Sequence, residues 1–226
     1  DYAAVVTGFN NEDIHLAWFG GLTGVQARKA VPGSQAIAQR SMDAEFKSVF
    51  IVRKDLPAQN LQDLKDLTFT FGSIISTSGH LMPRFFLTEA GIDVAKDLKG
   101  PPNYSGSHDK TWKLVETGSF EAGALNAVVW QKRVKDGSVD TSKVEVFYTT
   151  PPYFDYHWVA SGDLDEEFGD GATERLLKAL LALSSADGGL EQEIMAAFDS
   201  TRFISTNNEN YTDIEQVARD LGIIEN

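Results

Sequence analysis

Apolar residues recur along this chain in short blocks of two periods, and the blocks alternate. Tyr2, Val5, Val6 and Phe9 are spaced for one face of a helix, which Asn10, Asn11 and Glu12 end. Ile14, Leu16, Ala17, Trp18 and Phe19 read as a buried strand; Gly20-Gly21 breaks it, and Thr23 is placed to cap a helix to about Ala30. Weak alternation marks a strand over Ser34–Gln39, and Lys47–Arg53 (KSVFIVR) marks a stronger one. Leu61, Leu64 and Leu67 suggest a short helix before a buried strand at 67–71, with Phe69 and Phe71 on one face. An amphipathic helix is predicted from His80 to Ala90, with Gly91 closing it. Pro101-Pro102 opens an extended piece to Ser105, and Ser107-His108-Asp109-Lys110 opens a helix that Gly118 stops. A strand over 122–126, a helix over 127–135 and a strand over 144–148 follow. Pro151-Pro152 begins a rigid stretch that becomes a strand over Tyr156–Ala160, and helices over 172–184, 189–197 and 211–221 complete the chain.

Alternation of this kind predicts an α/β fold with two parallel-sheet lobes. The extended stretches Lys47–Arg53 and Tyr156–Ala160 flank the middle series and are the expected hinge crossings. The inner lobe is then residues 54–156, and the outer lobe is discontinuous, residues 1–53 and 157–226. The chain opens helix–strand–helix with no strand before the first helix, so the outer lobe is expected to be incomplete at its N-terminus.

Composition narrows the classes. At 226 residues and 42% hydrophobic, the chain can bury a sizeable core. It has no cysteine, which excludes disulfides and thiolate metal sites. No run of eighteen apolar residues is present, and no signal segment is recognisable within the sequence. A net charge of −13 argues against nucleic acid, which needs Lys/Arg stripes, but not against a small anion, because local donors decide that binding.

The densest candidate chemistry follows the strand at 67–71. Ser76-Thr77-Ser78-Gly79-His80 joins that strand to a helix, so hydroxyls and the orphan N–H groups of a helix start converge on one spot. That is a seat for a small oxyanion; the plainer reading, one hydroxyl acting as an N-cap, needs only one of the three. Ser107-His108-Asp109 at the next helix start forms a second loop. Asp155-Tyr156 forms a third, with Trp18 and Phe19 facing it from the outer lobe. The plainer readings are His108 as a capping or surface residue, Trp18 and Phe19 as core, and Asp155 as a turn anchor. These loops carry no Arg or Lys cluster, whereas a phosphate dianion usually meets Arg forks. An aspartate in such a seat repels a dianion and accepts a hydrogen bond from a protonated P–OH. The ligand expected is therefore a small, partly protonated oxyanion, and Trp18 or Tyr156 would suit a P–H or P–CH3 face.

Other chemistry is poorly supported. His15, His80, His108 and His157 lack zinc-like spacing, and no metal or cofactor is expected. His157 stands two residues past Asp155, which suggests a structural pair on one strand face. The contiguous Ser107-His108-Asp109 run does not supply the geometry of a nucleophilic triad. Neither GxGxxG nor GxxxxGK[ST] occurs.

At these residues the chain resembles a known family. FGSIISTSGHLMPRFFL at 71–87, DIHLAWFGGLTGVQA at 13–27, SVFIVRKD at 48–55, YSGSHDKTWKLVETG at 104–118, GALN at 123–126 and PPYFDYHWVA at 151–160 are similar, in the same order, to the substrate-binding proteins of phosphonate/phosphite ABC transporters. The resemblance spans nearly the whole chain. It implies a type II periplasmic-binding-protein fold, two lobes closing over ligand, no catalysis, an extracytoplasmic location either periplasmic or as a membrane-anchored lipoprotein, and a membrane permease as partner. It implies Ser76, Thr77, Ser78 and His80 as oxyanion donors, His108, Asp155 and Tyr156 as further contacts, and Trp18 or Phe19 as the outer wall. Histidine at 80, where other branches carry a bulky aromatic, points to phosphite or a very small phosphonate. The family begins with a strand, a helix and a second strand before the equivalent of Tyr2, so exposed strand edges prone to dimer contacts are expected here. Two readings compete. An enzyme on the same fold, a hydrolase or transferase, would need a base and a nucleophile, for which His108 beside a serine is the one candidate. The effector-sensing domain of a regulator would need a basic DNA-binding segment.

Overall fold

Two sheets organise the chain in a computed structural model that describes residues 2–225. Asp1 and Asn226, the ends of the expected outer lobe, lie outside the described residues, as does the side chain of Tyr2. The first unit runs to Phe46, Lys47–Pro152 forms the second, and Tyr153 returns the chain to the first. Both divisions fall earlier than the sequence suggests, after Phe46 instead of Arg53 and after Pro152 instead of Tyr156.

In the first unit α1 (Tyr2–Asn10), β1 (Leu16–Phe19), α2 (Gly21–Ala30) and β2 (Gln35–Arg40) lead to a 3-10 turn over Ser41–Glu45. In the second, β3 (Ser48–Arg53), a 3-10 turn over Leu61–Leu64, β4 (Phe69–Phe71), a π-turn over Thr77–Leu81 and α3 (Met82–Glu89) come first. Then follow β5 (Asn103–Tyr104), α4 (His108–Glu116), β6 (Ala122–Asn126), α5 (Ala127–Lys135) and β7 (Val144–Thr149). The first unit resumes with β8 (His157–Ala160), α6 (Leu164–Phe168), α7 (Ala172–Ala182), α8 (Gly189–Ala197), β9 (Phe203–Ser205) and α9 (Thr212–Asp220). Pattern reading missed α6 and β9, which are too short to show a period. None of the described helices is long and apolar enough to cross a membrane.

The first sheet is antiparallel and the second mixed, which corrects the expectation of parallel lobes. The first has the order β1-β8-β2-β9, and the returning strand β8 is inserted between β1 and β2 and runs against both. The second has the order β5-β4-β6-β3-β7. Helical crossovers link β4, β5 and β6, and these pair parallel; the entering strand β3 lies antiparallel to β6 and β7. KSVFIVR is thus a strand inside the second sheet and not a crossing. Its apolar run fits a strand buried on both faces: Phe50 and Val52 pack with Phe69, Phe71 and Leu87, while Val49 and Ile51 pack with Trp112 and Trp130.

β1 shows the one-sided pattern. Ala17 and Phe19 are buried against α1 and α2 with Phe9 and Ala27, whereas Leu16 and Trp18 lie on the opposite, partly open face. The next helix begins at Gly21, not at Thr23, whose hydroxyl donates to the Gly20 carbonyl at 3.1 Å.

Candidate functional site

Parallel pairing brings the C-terminal ends of β4, β5 and β6 to one edge of the second sheet, and a helical segment starts beyond each. Open α/β sheets present ligand sites at such edges. After β4, the Gly72 N–H donates to the Gly79 carbonyl at 2.8 Å and closes the hydroxyl loop on itself. Ser76 caps the turn: its Oγ accepts the Gly79 N–H at 3.0 Å. Its carbonyl accepts both the His80 N–H at 3.2 Å and the Leu81 N–H at 3.0 Å, and the second of these is the i→i+5 bond of a π-turn, a device frequent at functional sites.

Thr77 and Ser78 occupy the first turn and are buried. The Ser78 carbonyl accepts the Ser48 hydroxyl at 2.8 Å, which pins the turn to β3. The Ser78 hydroxyl is buried with no hydrogen-bond partner among the described residues. An orphaned hydroxyl is costly unless something else meets it.

His108 opens α4 behind Ser107, whose Oγ accepts the Lys110 N–H at 3.3 Å. Its Nδ1 accepts the Asn126 backbone N–H at 3.3 Å, so the neutral ring carries its hydrogen on Nε2. That Nε2 is buried and has no partner among the described residues. Burial pulls His108 down to about 4, against a weaker upward pull from Asp109, and the ring is neutral at physiological pH. The ring lies over the hydroxyl turn: a Cβ built on Gly79 would stand 3.0 Å from His108 Cε1 and 3.0 Å from Ser76 Oγ. Glycine at 79 is what lets the second loop approach the first.

His80 is placed differently. Its Nδ1 donates to the Ile74 carbonyl at 2.6 Å, and its Nε2 accepts from the Tyr104 hydroxyl at 3.4 Å. The ring is buried edge-on to Phe71 and Tyr104, and burial lowers it to about 4. A neutral ring with both nitrogens engaged has no N–H left for an anion. The structure therefore makes His80 a brace of the loop, in place of the donor that the resemblance implied.

Asp109 grips Arg133 through two bonds, 2.7 Å from Nε and 2.9 Å from Nη2, and accepts from Trp112 Nε1 at 3.1 Å. It does not touch the His108 ring, so the Ser-His-Asp run forms no triad.

The first unit holds the remaining candidates. Asp155 is buried, and its Oδ1 accepts the Gly21 N–H at 2.8 Å, a cap for α2 supplied from a residue far along the chain. Its own N–H donates to the Asp43 carbonyl at 2.9 Å. The Tyr156 ring lies parallel to Trp18 with centres 6.1 Å apart and meets Phe46 edge-on at 5.5 Å. Arg40 stands 5.5 Å from both the Trp18 and Tyr156 rings, locked in two bonds to Asp43 of 2.6 and 2.7 Å. Trp18 thus belongs to an aromatic wall, while Phe19 is core, 5.5 Å from Phe9. The face alternation of β1 decides between the two.

His157 does pair with Asp155, through the backbone. Its Nδ1 donates to the Asp155 carbonyl at 2.9 Å, and its Nε2 accepts from Arg28 at 2.7 Å. Burial, with a smaller push from Arg28, lowers it to about 3. Sequence reasoning missed Asn126, Tyr104 and Arg40 as organising residues. Asn126 was legible as a cap for α5, since its Oδ1 accepts from Val128 and Val129; its hold on His108 was not. Among the described residues no three His, Asp or Glu side chains form a group that could hold a metal ion.

Residues 1–211 match the family described as ABC transporter, phosphonate, periplasmic substrate-binding protein. The chain is 48% identical over 231 residues to the probable ABC transporter phosphite binding protein PhnD1 of Prochlorococcus marinus MIT 9301, covering 99% of this chain and 77% of that protein. It superposes on the structure of PhnD1 from that organism in complex with methylphosphonate with a TM-score of 0.92 at 47% identity, covering 99% of this chain and 84% of the other. It is also 35% identical over 157 residues to the phosphonates-binding periplasmic protein of Escherichia coli K12, over 67% of this chain and 46% of that protein.

Proposed function

This chain belongs to the periplasmic substrate-binding proteins of phosphonate ABC transporters, and from that premise we propose that it captures phosphite or a very small phosphonate for delivery to a membrane permease. The fold is the type II periplasmic-binding-protein fold. The family places the protein outside the cytoplasm.

The observation that carries the ligand reading is a pair of buried donors, Ser78 Oγ and His108 Nε2, beside one hydroxyl turn at the C-terminal edge of three parallel strands. In this reading Ser76, Thr77, Ser78 and His108 donate to the ligand oxygens. Every side-chain donor in this set is neutral, so the seat suits one negative charge better than two. Asp155 accepts from a P–OH, and Tyr156 and Trp18 supply the apolar wall for a P–H or P–CH3 group. His80 holds the turn in shape.

Calorimetric titration with phosphite, methylphosphonate, hypophosphite, phosphate and aminoethylphosphonate at two pH values tests this. Phosphite or methylphosphonate should bind most tightly. Aminoethylphosphonate binding far more tightly than phosphite would reject the assignment of a very small ligand.

A further inference from the structure

One partly buried cation of the first unit is held by neutral groups. Arg28 of α2 donates from Nη1 to His157 Nε2 at 2.7 Å, and its guanidinium carbon lies 5.1 Å from the centre of the Tyr211 ring. Because His157 gives its own N–H to the Asp155 carbonyl, the nitrogen facing Arg28 is a lone pair on a neutral ring. That bond orients the guanidinium without neutralising it. Among the described residues no carboxylate lies within ion-pair distance of Arg28. Glu215, whose field reaches Arg28, is engaged by Arg219 and by Lys29 at 3.6 Å. Burial lowers Arg28 to about 10, the effect expected of a cation partly stripped of water. Charges so placed are ordinarily paired.

Arg28 opens onto a cavity of about 350 Å³, towards the small end of ligand-pocket sizes. With Nη1 taken by His157, the Nε and Nη2 edge is the one that can face the cavity, and two parallel N–H groups match a carboxylate. Lys29 and Gln35 add donors at its exposed rim. Glu215 also lines the space and sets a charge limit, since a dianion would be repelled more than a monoanion.

We infer that this cavity is a second anion site, one for a small monocarboxylate, with the carboxylate on the Arg28 fork. It is separate from the residues assigned to the phosphorus ligand.

The test follows the Arg28 Nε–H resonance in protein labelled with 15N-arginine, as sodium propionate replaces sodium chloride at fixed ionic strength. Arg28→Gln assigns the resonance. A saturable shift is expected, with a midpoint on the order of millimolar. Gln35→Glu, at an exposed position on the cavity wall, should move that midpoint several-fold upward. A shift that stays linear, a midpoint unchanged by Gln35→Glu, or tighter binding of phosphate than of propionate at this resonance would each overturn the inference. If Arg28→Gln does not fold, the Gln35→Glu comparison on the resonance that responds still decides. Calorimetry with phosphite on the Gln35→Glu protein should be unchanged, so failure here and failure of the phosphorus reading are told apart.

Discussion

His108 accepts the backbone N–H of Asn126 on Nδ1, and this one bond decides which nitrogen carries the hydrogen. The end of β6 thereby turns the first residue of α4 into a fixed Nε2 donor. His108→Ala should weaken phosphite binding about 10- to 100-fold, the loss of a hydrogen bond to a charged group of roughly 1.5–3 kcal/mol. Calorimetry reads it directly; unchanged affinity would remove His108 from the site.

His80→Phe should behave differently. The ring space beside Phe71 and Tyr104 stays filled, while the bond to the Ile74 carbonyl is lost. A brace contributes through the loop it holds, so affinity should fall by less than about tenfold, a free-energy change below about 1.4 kcal/mol. A loss equal to that of His108→Ala would restore His80 as a direct contact.

Gly79→Ala places a methyl 3.0 Å from Ser76 Oγ and from His108 Cε1, and 3.2 Å from the Gly72 Cα. The backbone neighbour cannot rotate away, so the loop or the ring must shift. Phosphite affinity should drop at least about tenfold, a free-energy loss of about 1.4 kcal/mol, with the circular dichroism spectrum unchanged.

Asp155→Ala removes the acceptor for the Gly21 N–H at the start of α2. The loss should be about 1–2 kcal/mol of stability, seen as a lower urea midpoint. Asp155→Asn keeps an acceptor oxygen and should recover most of that stability. It should also lose discrimination between singly and doubly ionised ligand, measurable as a flatter pH profile of phosphite binding.

Stability should fall on acidification before the carboxylates titrate. His80 and His108 lie near 4 and His157 near 3 in the folded chain, all lowered chiefly by burial from an ordinary 6.5. Between those values the unfolded chain binds more protons, so stability rises with pH. The contribution is complete above pH 6.5 and is lost as pH falls towards 4, by about 3 kcal/mol for each ring near 4. Thermal melts at pH 7, 6, 5 and 4 should show a progressive drop, and a flat profile would contradict the buried neutral state of these rings.

The strand and helix pattern was largely legible because each block keeps its period, and the hydroxyl turn was legible because three hydroxyls precede a helix. What was not legible depends on distant partners. His80 and His108 look alike in sequence, each at a helix start; Ile74 and Tyr104 separate the first from the second, which Asn126 holds. Asp155 reads as a turn residue until Gly21 is brought to it. KSVFIVR shows that a strand is present, but an apolar run does not say which sheet it joins. Trp18 and Phe19 differ only in the face of β1 they occupy, and the alternation there spans just four residues.

The π-turn at Thr77–Leu81 is equivalent to one residue added to an ordinary helical start. A single codon gained or lost there would rotate the hydroxyl-bearing residues about the helix axis by roughly 100°, with the core strand before it and the helix after it left in place. If the turn holds the ligand as proposed, a change in segment length would alter ligand preference, a route that comparing side chains position by position would overlook.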